Sequence, residues 1–366
     1  MITLIFTTFA LVAFIEKSMG DLLVEARAAE AGRLRAEAYS ALETTLAVLE
    51  DFRQVGNGLH SPSEGWSDPL VFAAWAPKEG RTVEVTFEDE SGKISLPRAD
   101  ALVLTNLFKA WEMKDSDAER LADALLGWMK RDHVYSTTVS PEYDRANLPY
   151  EPPGRSLRSF QELAAIEVAR DAFYQDGKPN DFWYRFVNAV SLFSFRQSNI
   201  NGAKPDVLES HGQFDETQRG QLSDYLTGNG SYKVQGPGWF TDMGTARAIV
   251  GLAGNQAGFG TTISALRVSL VVREGQSIFR LSAVVAPLQN GATTVATTAT
   301  ANRSTASTNT PTGAAGQTQP SGTAVASTNP NAAVNAKKLN YPFTLLEIRE
   351  NDEIVQAPLP PAVVPL

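Results

Sequence analysis

The chain has 366 residues, a formal net charge of −9, and hydrophobic and charged fractions of 43% and 20%. Those proportions belong to a folded protein with room for two or three domains, and the acidic balance with scattered basic residues argues against a broad nucleic-acid or anionic-membrane footprint. The absence of cysteine excludes disulfides and thiolate chemistry, and three isolated histidines, His60, His133 and His211, offer no spacing for a zinc helix or a Ser/His/Asp relay.

The chain begins "MITLIFTTFALVAFIEK", an apolar run of about fifteen residues that is shorter than the roughly 20 needed to cross a bilayer. There is no proline from Met1 to about Arg53, and Gly20 and Gly32 are the only glycines there. Leu34, Ala38, Leu42, Leu46 and Leu49 recur at helical spacing, while Glu30, Arg33 and Glu37 are spaced for ion pairs on another face. One continuous helix of about fifty residues is expected, roughly 75 to 80 Å long. Its first third is greasy and its remainder amphipathic, so the run reads as the lower part of an anchor whose beginning lies upstream of the assigned start. A secretory signal peptide fits less well, since a basic n-region and a small-x-small cleavage site are missing. A buried core helix is the bland alternative.

After the turn-rich "QVGNGLHSPSEGWSDP" come three β-like runs, "LVFAAWA" (70–76), "RTVEVTFE" (81–88) and "KISL" (93–96). "DESGK" is expected to join the last two as a hairpin, with Gly92 at positive φ. "RADALVLTNLFKAW" (98–111) and "SDAERLADALLGWMK" (116–130) carry helical periodicity, with Ser116 and Glu119 as a capping box and Ser159 and Glu162 as a second. Further on, "DETQRGQLSDYLTG" has Asp215 as N-cap, Gln218 as its partner and Gly228 as the stop.

Strands return at "ISALRVSLVVRE" (263–274) and "SIFRLSAVVAP" (277–287), joined by a Gly275-Gln276 turn, and "YPFTLLEIRE" (341–350) reads as their third partner. A sheet built from both ends of the chain is therefore expected, with helical segments inserted. Between the last two strands, Gln289 to Ala336 is rich in Thr, Ala, Asn, Ser, Gly and Gln and too poor in large apolar residues to offset its ordering entropy, so it reads as a disordered hairpin insertion. It contains a formal sequon, Asn302-Arg303-Ser304.

Signals for chemistry are weak. "GLAGNQAGFG" (251–260) lacks a βαβ context and a Lys-Ser or Lys-Thr, so it reads as a flexible loop before a strand. Glu88, Asp89 and Glu90 are adjacent, but strand neighbours point to opposite faces and do not converge on a cation by themselves. Asp123, Asp132, Glu142 and Asp144 form a second acidic group, for which calcium is the candidate ion. No cofactor is required by any motif.

Several strings resemble the general secretion pathway protein K family, the large minor pseudopilin of type II secretion systems. "FEDESGKISL" (87–96) resembles the family's acidic hairpin, and "LADALLGWMKRD" (121–132) its Leu-x-Asp-Ala-Leu-Leu-Asp-Trp helix. "YEPPGRSLRSFQELAAI" (150–166) resembles its proline bend, and "NINGAKPDVLES" (199–210) the start of its second sterile-alpha-motif-like (SAM-like) unit. Together the strings follow the family order over most of residues 1–290. Gly127 and Lys130 stand where the family often has aspartates, which bears on any calcium site; Pro97 and the 289–336 insertion also depart from the pattern.

The resemblance implies an α+β, type IV pilin-like fold: a long N-terminal helix packed on a small antiparallel sheet, with inserted helical SAM-like domains. The implied units are a membrane and filament helix (1–53), a first part of the β domain (54–97), two helical domains (98–189 and 190–262), the remaining strands (263–288 and 339–350), the insertion (289–338) and a Pro-rich tail (351–366). It further implies a non-enzymatic role: capping the tip of a periplasmic pseudopilus, with other minor pseudopilins and the major pseudopilin as partners, no nucleic acid, and a single pass through the inner membrane. Leu4, Phe6, Phe9, Leu11 and Phe14, then Leu34, Leu42 and Leu46, would carry the helix from lipid into a bundle, so Leu42→Glu is expected to leave the head folded but to abolish co-purification with the other minor subunits. The rival classes are a membrane-tethered module for secreted cargo and an anchored periplasmic enzyme with a polar cluster near His133 or His211.

Overall fold

A computed structural model of the chain describes residues 2–137, 143, 150–211, 214–252, 258–294 and 342–351. Helix α1 (Ile2–Gly56) runs unbroken for 55 residues, about 82 Å. Among the described side chains Leu34 is the first that is buried; from there Ala38, Ala41, Leu42, Leu46 and Leu49 form the apolar stripe legible in the sequence. The part before Leu34, about 48 Å long, runs beyond the head.

A short helix α2 (Pro69–Phe72) occupies the first run expected as a strand. The reason is local: Asp68 caps the Val71 N–H and Pro69 stands at a first-turn position, which together favour a helical turn over extended backbone. Strand β1 (Arg81–Asp89) follows, then a 3₁₀ turn (Glu90–Gly92) and a two-residue β2 (Ile94–Ser95). The expected β1–β2 hairpin does not form, and Gly92 is not at positive φ. Gly92 is required for contact instead: a Cβ there would lie 2.4 Å from the Gly202 carbonyl oxygen.

Helices α3 (Ala101–Lys109) and α4 (Asp115–Met129) pack together next. Asp100 caps α3, but α4 starts at Asp115 with no side-chain cap, so Ser116 lies inside the helix and its predicted box is absent. The Ser159 box is displaced as well. Ser159 caps a 3₁₀ turn (Phe160–Ala165), while the Glu162 carboxylate accepts from the Arg158 N–H. Helix α5 (Glu167–Phe173), a tight pair β3 (Tyr174–Gln175) and β4 (Lys178–Pro179), and α6 (Asp181–Ala189) complete this part. Strand β5 (Val190–Ser191) pairs in parallel with β2.

Strand β6 (Ser198–Asn199) leads into α7 (Pro205–Ser210), α8 (Glu216–Thr227) and α9 (Met243–Val250), and β7 (Phe259–Gly260) returns parallel to β6. The α8 capping box of Asp215 and Gln218 is present, with Gly228 left-handed at φ 68°. All these helices share one core centred on Phe108, Phe173 and Phe186, which also reaches Leu222, Phe240 and Phe259. The two helical segments read as separate in the sequence thus bury their apolar faces against one another.

Strands β8 (Leu266–Glu274), β9 (Ser277–Pro287) and β10 (Phe343–Glu350) close an antiparallel sheet of order β1-β8-β9-β10. Gly275, at φ 56°, opens the two-residue β8–β9 turn. One face of the sheet buries Val268, Leu270, Val272, Phe279 and Leu281 under α1, joined by Trp66 edge-on to Phe87 at 5.0 Å. The fold is thus mixed helix and antiparallel sheet.

Register shows where the insertions root. The helical unit lies between Asp89 and Leu266, which face one another at the end of the β1–β8 ladder. The 289–336 stretch lies between Pro287 and Phe343, partners at the same end, since Leu266 faces Val285. Thr293 bridges to Ser194 there; residues 295–341, with the sequon and most of the segment expected to be disordered, lie outside the described residues, as do the tail from 352 on, Glu142, Asp144 and 253–257.

Candidate assembly surface

Three places could bear function: the projecting helix, the clamp where it meets the sheet, and the junction between sheet and helical unit. On the projecting part Phe9, Leu11, Phe14, Ile15 and Met19 are exposed, Phe9 by 74%. No partner within the described residues covers them, which leaves an apolar surface available to lipid or other helices. The side chains of Leu4 and Phe6 lie outside the described part of the helix. Among the described residues no helix is long and apolar enough to cross a membrane.

Leu34, Leu42 and Leu46 have a different position from the one expected. They are at most 2% exposed and packed against the sheet of the same chain, so they cannot serve a bundle between subunits. Leu42→Glu would put a carboxylate into this core and could not leave the head folded. The spacing of the stripe was read correctly; the sequence alone could not say which partner it faced.

The clamp lies at the sheet end bearing the β8–β9 turn. Arg35 Nε and Tyr39 Oη both donate to Glu350 Oε1, at 2.8 and 2.7 Å. The hydrogen bonds to Glu350 raise the Tyr39 hydroxyl and hold the Glu350 carboxyl below its usual value. Beside them Arg81 Nη1 donates to Glu37 at 3.0 Å and Arg81 Nε to Glu274 at 2.9 Å; the Arg81 and Glu37 side chains are each only 6% exposed. α1 is therefore tied to both edge strands where it leaves the head.

The junction lies at the opposite end. Asp89 accepts from the Ser91 N–H and hydroxyl at 2.9 and 2.6 Å and from Asn199 Nδ2 at 2.7 Å. Asn199 Nδ2 also donates to the His60 carbonyl, and Asn201 Nδ2 to the carbonyls of Phe240 and Thr261. Burial pushes the Asp89 carboxyl up to about 6, against its hydrogen bonds. For Glu90 burial acts in the same direction, but Lys93 and Arg267 outweigh it and the carboxyl moves down. Glu64 behaves likewise, with hydrogen bonds from His60 and Trp66 overcoming burial. A Cβ on Gly202 would stand 2.4 Å from the Asp89 carboxylate, so this glycine lets the units close together. The Asn-x-Asn spacing was visible in the sequence; its role across three segments was not.

Of the carboxylates considered for metal, Asp89, Glu90 and Asp123 are otherwise engaged. Asp123 accepts from Ser136 N, Ser136 Oγ and Thr137 N and lies 3.0 Å from His133 Nε2, while Asp132 is exposed. No group of three or more metal-binding side chains converges among the described residues. His211 packs its ring 4.6 Å from that of Phe259, and His60 contacts Glu64.

Residues 88–180, from the end of β1 to β4, match the family described as type II secretion system protein K. Over that segment the chain is similar to the protein K family. The matched segment spans the α3–α5 part of the helical unit and the strand end at which it roots. The fold is similar, over most of the chain, to a chain of the crystal structure of the GspK-GspI-GspJ complex from the enterotoxigenic Escherichia coli type 2 secretion system. That likeness has a TM-score of 0.53 at 14% identity and covers 73% of this chain and 95% of the other. No curated protein matched.

Proposed function

We propose that this chain is a minor pseudopilin that assembles with other minor pseudopilins at the tip of a type II secretion pseudopilus, with α1 as its type IV pilin-like stem. The observation that carries the reading is polarity. The stem leaves the sheet beside Arg81, Glu274 and Glu350, whereas the K-family helical unit roots at the other end, between Asp89 and Leu266. A subunit packed by its stem would carry that bulk where the next subunit would dock, which makes it a cap. On this reading the exposed residues around Phe9 to Met19 enter the inner membrane or the filament bundle, the head is periplasmic, and the helical unit is of the SAM-like kind.

Excision of residues 92–264 tests this. The Ser91 N–H donates to the Ala265 carbonyl at 3.1 Å, so a short glycine linker can close the gap without moving β1 or β8. Filaments of uncontrolled length together with reduced secretion are expected. Filaments of normal length with secretion lost would transfer the role to cargo binding.

A further inference from the structure

The sequence holds four asparagines followed by glycine, at 57, 201, 229 and 290. Such a pair can close on itself, the glycine nitrogen attacking the asparagine Cγ, because glycine offers no Cβ to block the approach. Closure needs Cβ and the following nitrogen eclipsed about the Cα–C bond, a side chain free to turn, and a glycine N–H without an acceptor. On these terms the four pairs differ. Asn57 and Asn290 stand in the left-handed region, at φ 54° and 59°, which puts Cβ and the next nitrogen on opposite sides of the bond. The Gly58 N–H is also committed to the Arg53 carbonyl at 3.0 Å. Asn201 is held at both ends of its amide: Oδ1 accepts from the Phe240 N–H at 2.7 Å, and Nδ2 donates to the Phe240 and Thr261 carbonyls. The Gly202 N–H donates to the Asn199 carbonyl at 3.2 Å. Asn229 is free of all these restraints. It is exposed beyond the end of α8, and its extended backbone, φ −101° and ψ −178°, leaves Cβ and the Gly230 nitrogen gauche. A single bond from Nδ2 to Thr227 Oγ1, at 2.9 Å, holds its amide. Gly230 opens a 3₁₀ turn (Gly230–Tyr232), so its N–H is a first-turn donor with no acceptor among the described residues. The Asp224 carboxylate lies against it: a Cβ on Gly230 would stand 2.5 Å from Oδ2.

We infer that Asn229 is a self-modifying site, which turns into isoaspartate and aspartate through a succinimide closed on Gly230, with Asp224 taking the proton. In the first step the Gly230 nitrogen bonds to Asn229 Cγ, and the Cγ–Nδ2 bond breaks. The proton leaves the Gly230 nitrogen for the Asp224 carboxylate and goes on to the departing amide nitrogen, which is released as ammonia. Water then opens the ring, with no oxidant or reductant needed. Opening at Cγ gives aspartate; opening at the main-chain carbonyl gives isoaspartate, with a main chain one carbon longer and a new carboxylate beside Asp224. The change is felt in the turn after α8, where the Tyr232 N–H donates to the Asn229 carbonyl at 2.9 Å and would lose that alignment. This inference goes beyond the tip-capping role and does not depend on it.

The test is to age the full chain at neutral and at mildly alkaline pH, folded and in urea, and to follow each asparagine by peptide mass spectrometry. Enzymatic methylation counts the isoaspartate. In the folded chain Asn229 is expected to lose its amide about tenfold or more faster than Asn57, Asn201 or Asn290, and in urea the four rates should converge. Asp224→Asn, which keeps the shape of the side chain and should leave near-UV circular dichroism unchanged, is expected to slow the loss about tenfold at neutral pH. The slowing should shrink at alkaline pH, where hydroxide replaces the carboxylate as base. Amide exchange at Tyr232 should rise as isoaspartate accumulates and stay constant in Asn229→Gln. The proposal is overturned if Asn229 keeps its amide in the folded chain while the urea-unfolded chain loses it. It is equally overturned if any of the other three converts as fast while folded, or if Asp224→Asn leaves the rate and its pH profile unchanged.

Discussion

Leu42→Ala separates the two halves of α1. The Leu42 side chain is 2% exposed and lies between Ala38 and Leu46 in the stripe that covers β8 and β9. Truncation removes most of an apolar side chain and leaves a cavity, because the helix cannot settle into the gap. It is held close by Arg35 and Tyr39 on Glu350 and by Glu37 on Arg81. A site that cannot collapse belongs to the upper part of the Leu→Ala range, about 3–4 kcal/mol. For a head of this size that is a fall of about 10 °C in Tm. Phe14, 67% exposed on the projecting part, sets the contrast: Phe14→Ala should change stability by no more than about 0.5 kcal/mol. Thermal unfolding of the full chain in mild detergent, followed through the fully buried Trp66, measures both. A loss below about 1 kcal/mol for Leu42→Ala, or equal losses for the two variants, would refute the division of the helix into a packed half and a free half.

Gly202→Ala should cost about 2 kcal/mol and open the junction, because its Cβ would meet the Asp89 carboxylate at 2.4 Å; faster proteolysis around residues 90–96 would report it. Stability should be greatest at mildly acid pH. Asp89, raised from 3.8 to about 6, contributes fully below 3.8 and loses at most about 3 kcal/mol as pH rises through 6, whereas Glu64 and Glu90, held below 4.5, lose theirs as pH falls beneath that value. A denaturation midpoint that keeps climbing above pH 6 would contradict this. Asp123→Ala strands the N–H groups of Ser136 and Thr137, at a cost of about 2 kcal/mol, and should raise amide exchange there while leaving α8 unaffected.

Much of the fold was legible where periodicity is long. The stripe from Leu34 to Leu49, the alternation of Val83, Val85 and Phe87, and the Asp215 and Gln218 box each carry their own local signal, and each is present. Short elements were misread where one residue decides the outcome. Asp68 and Pro69 turned an apolar run into α2, and contact with Gly202 gave Gly92 a packing role in place of a hairpin turn. Of the candidate surface, the projecting residues Phe9, Leu11 and Phe14 were readable from hydropathy. The clamp was not, because Glu350 meets Arg35 across 315 positions, a separation no local pattern records.

That separation also orders events during synthesis. The apolar stripe of α1 emerges first, yet its partners on β8 and β9 begin only at Leu266. The helical unit has its own core and can fold from neighbouring residues well before then. For most of synthesis the stripe is therefore uncovered, and β10, whose Glu350 closes the clamp on Arg35 and Tyr39, acts as the latch. A chain cut short before β10 would keep a folded helical unit and an unlatched α1, the kind of half-finished molecule that chaperones and proteases select.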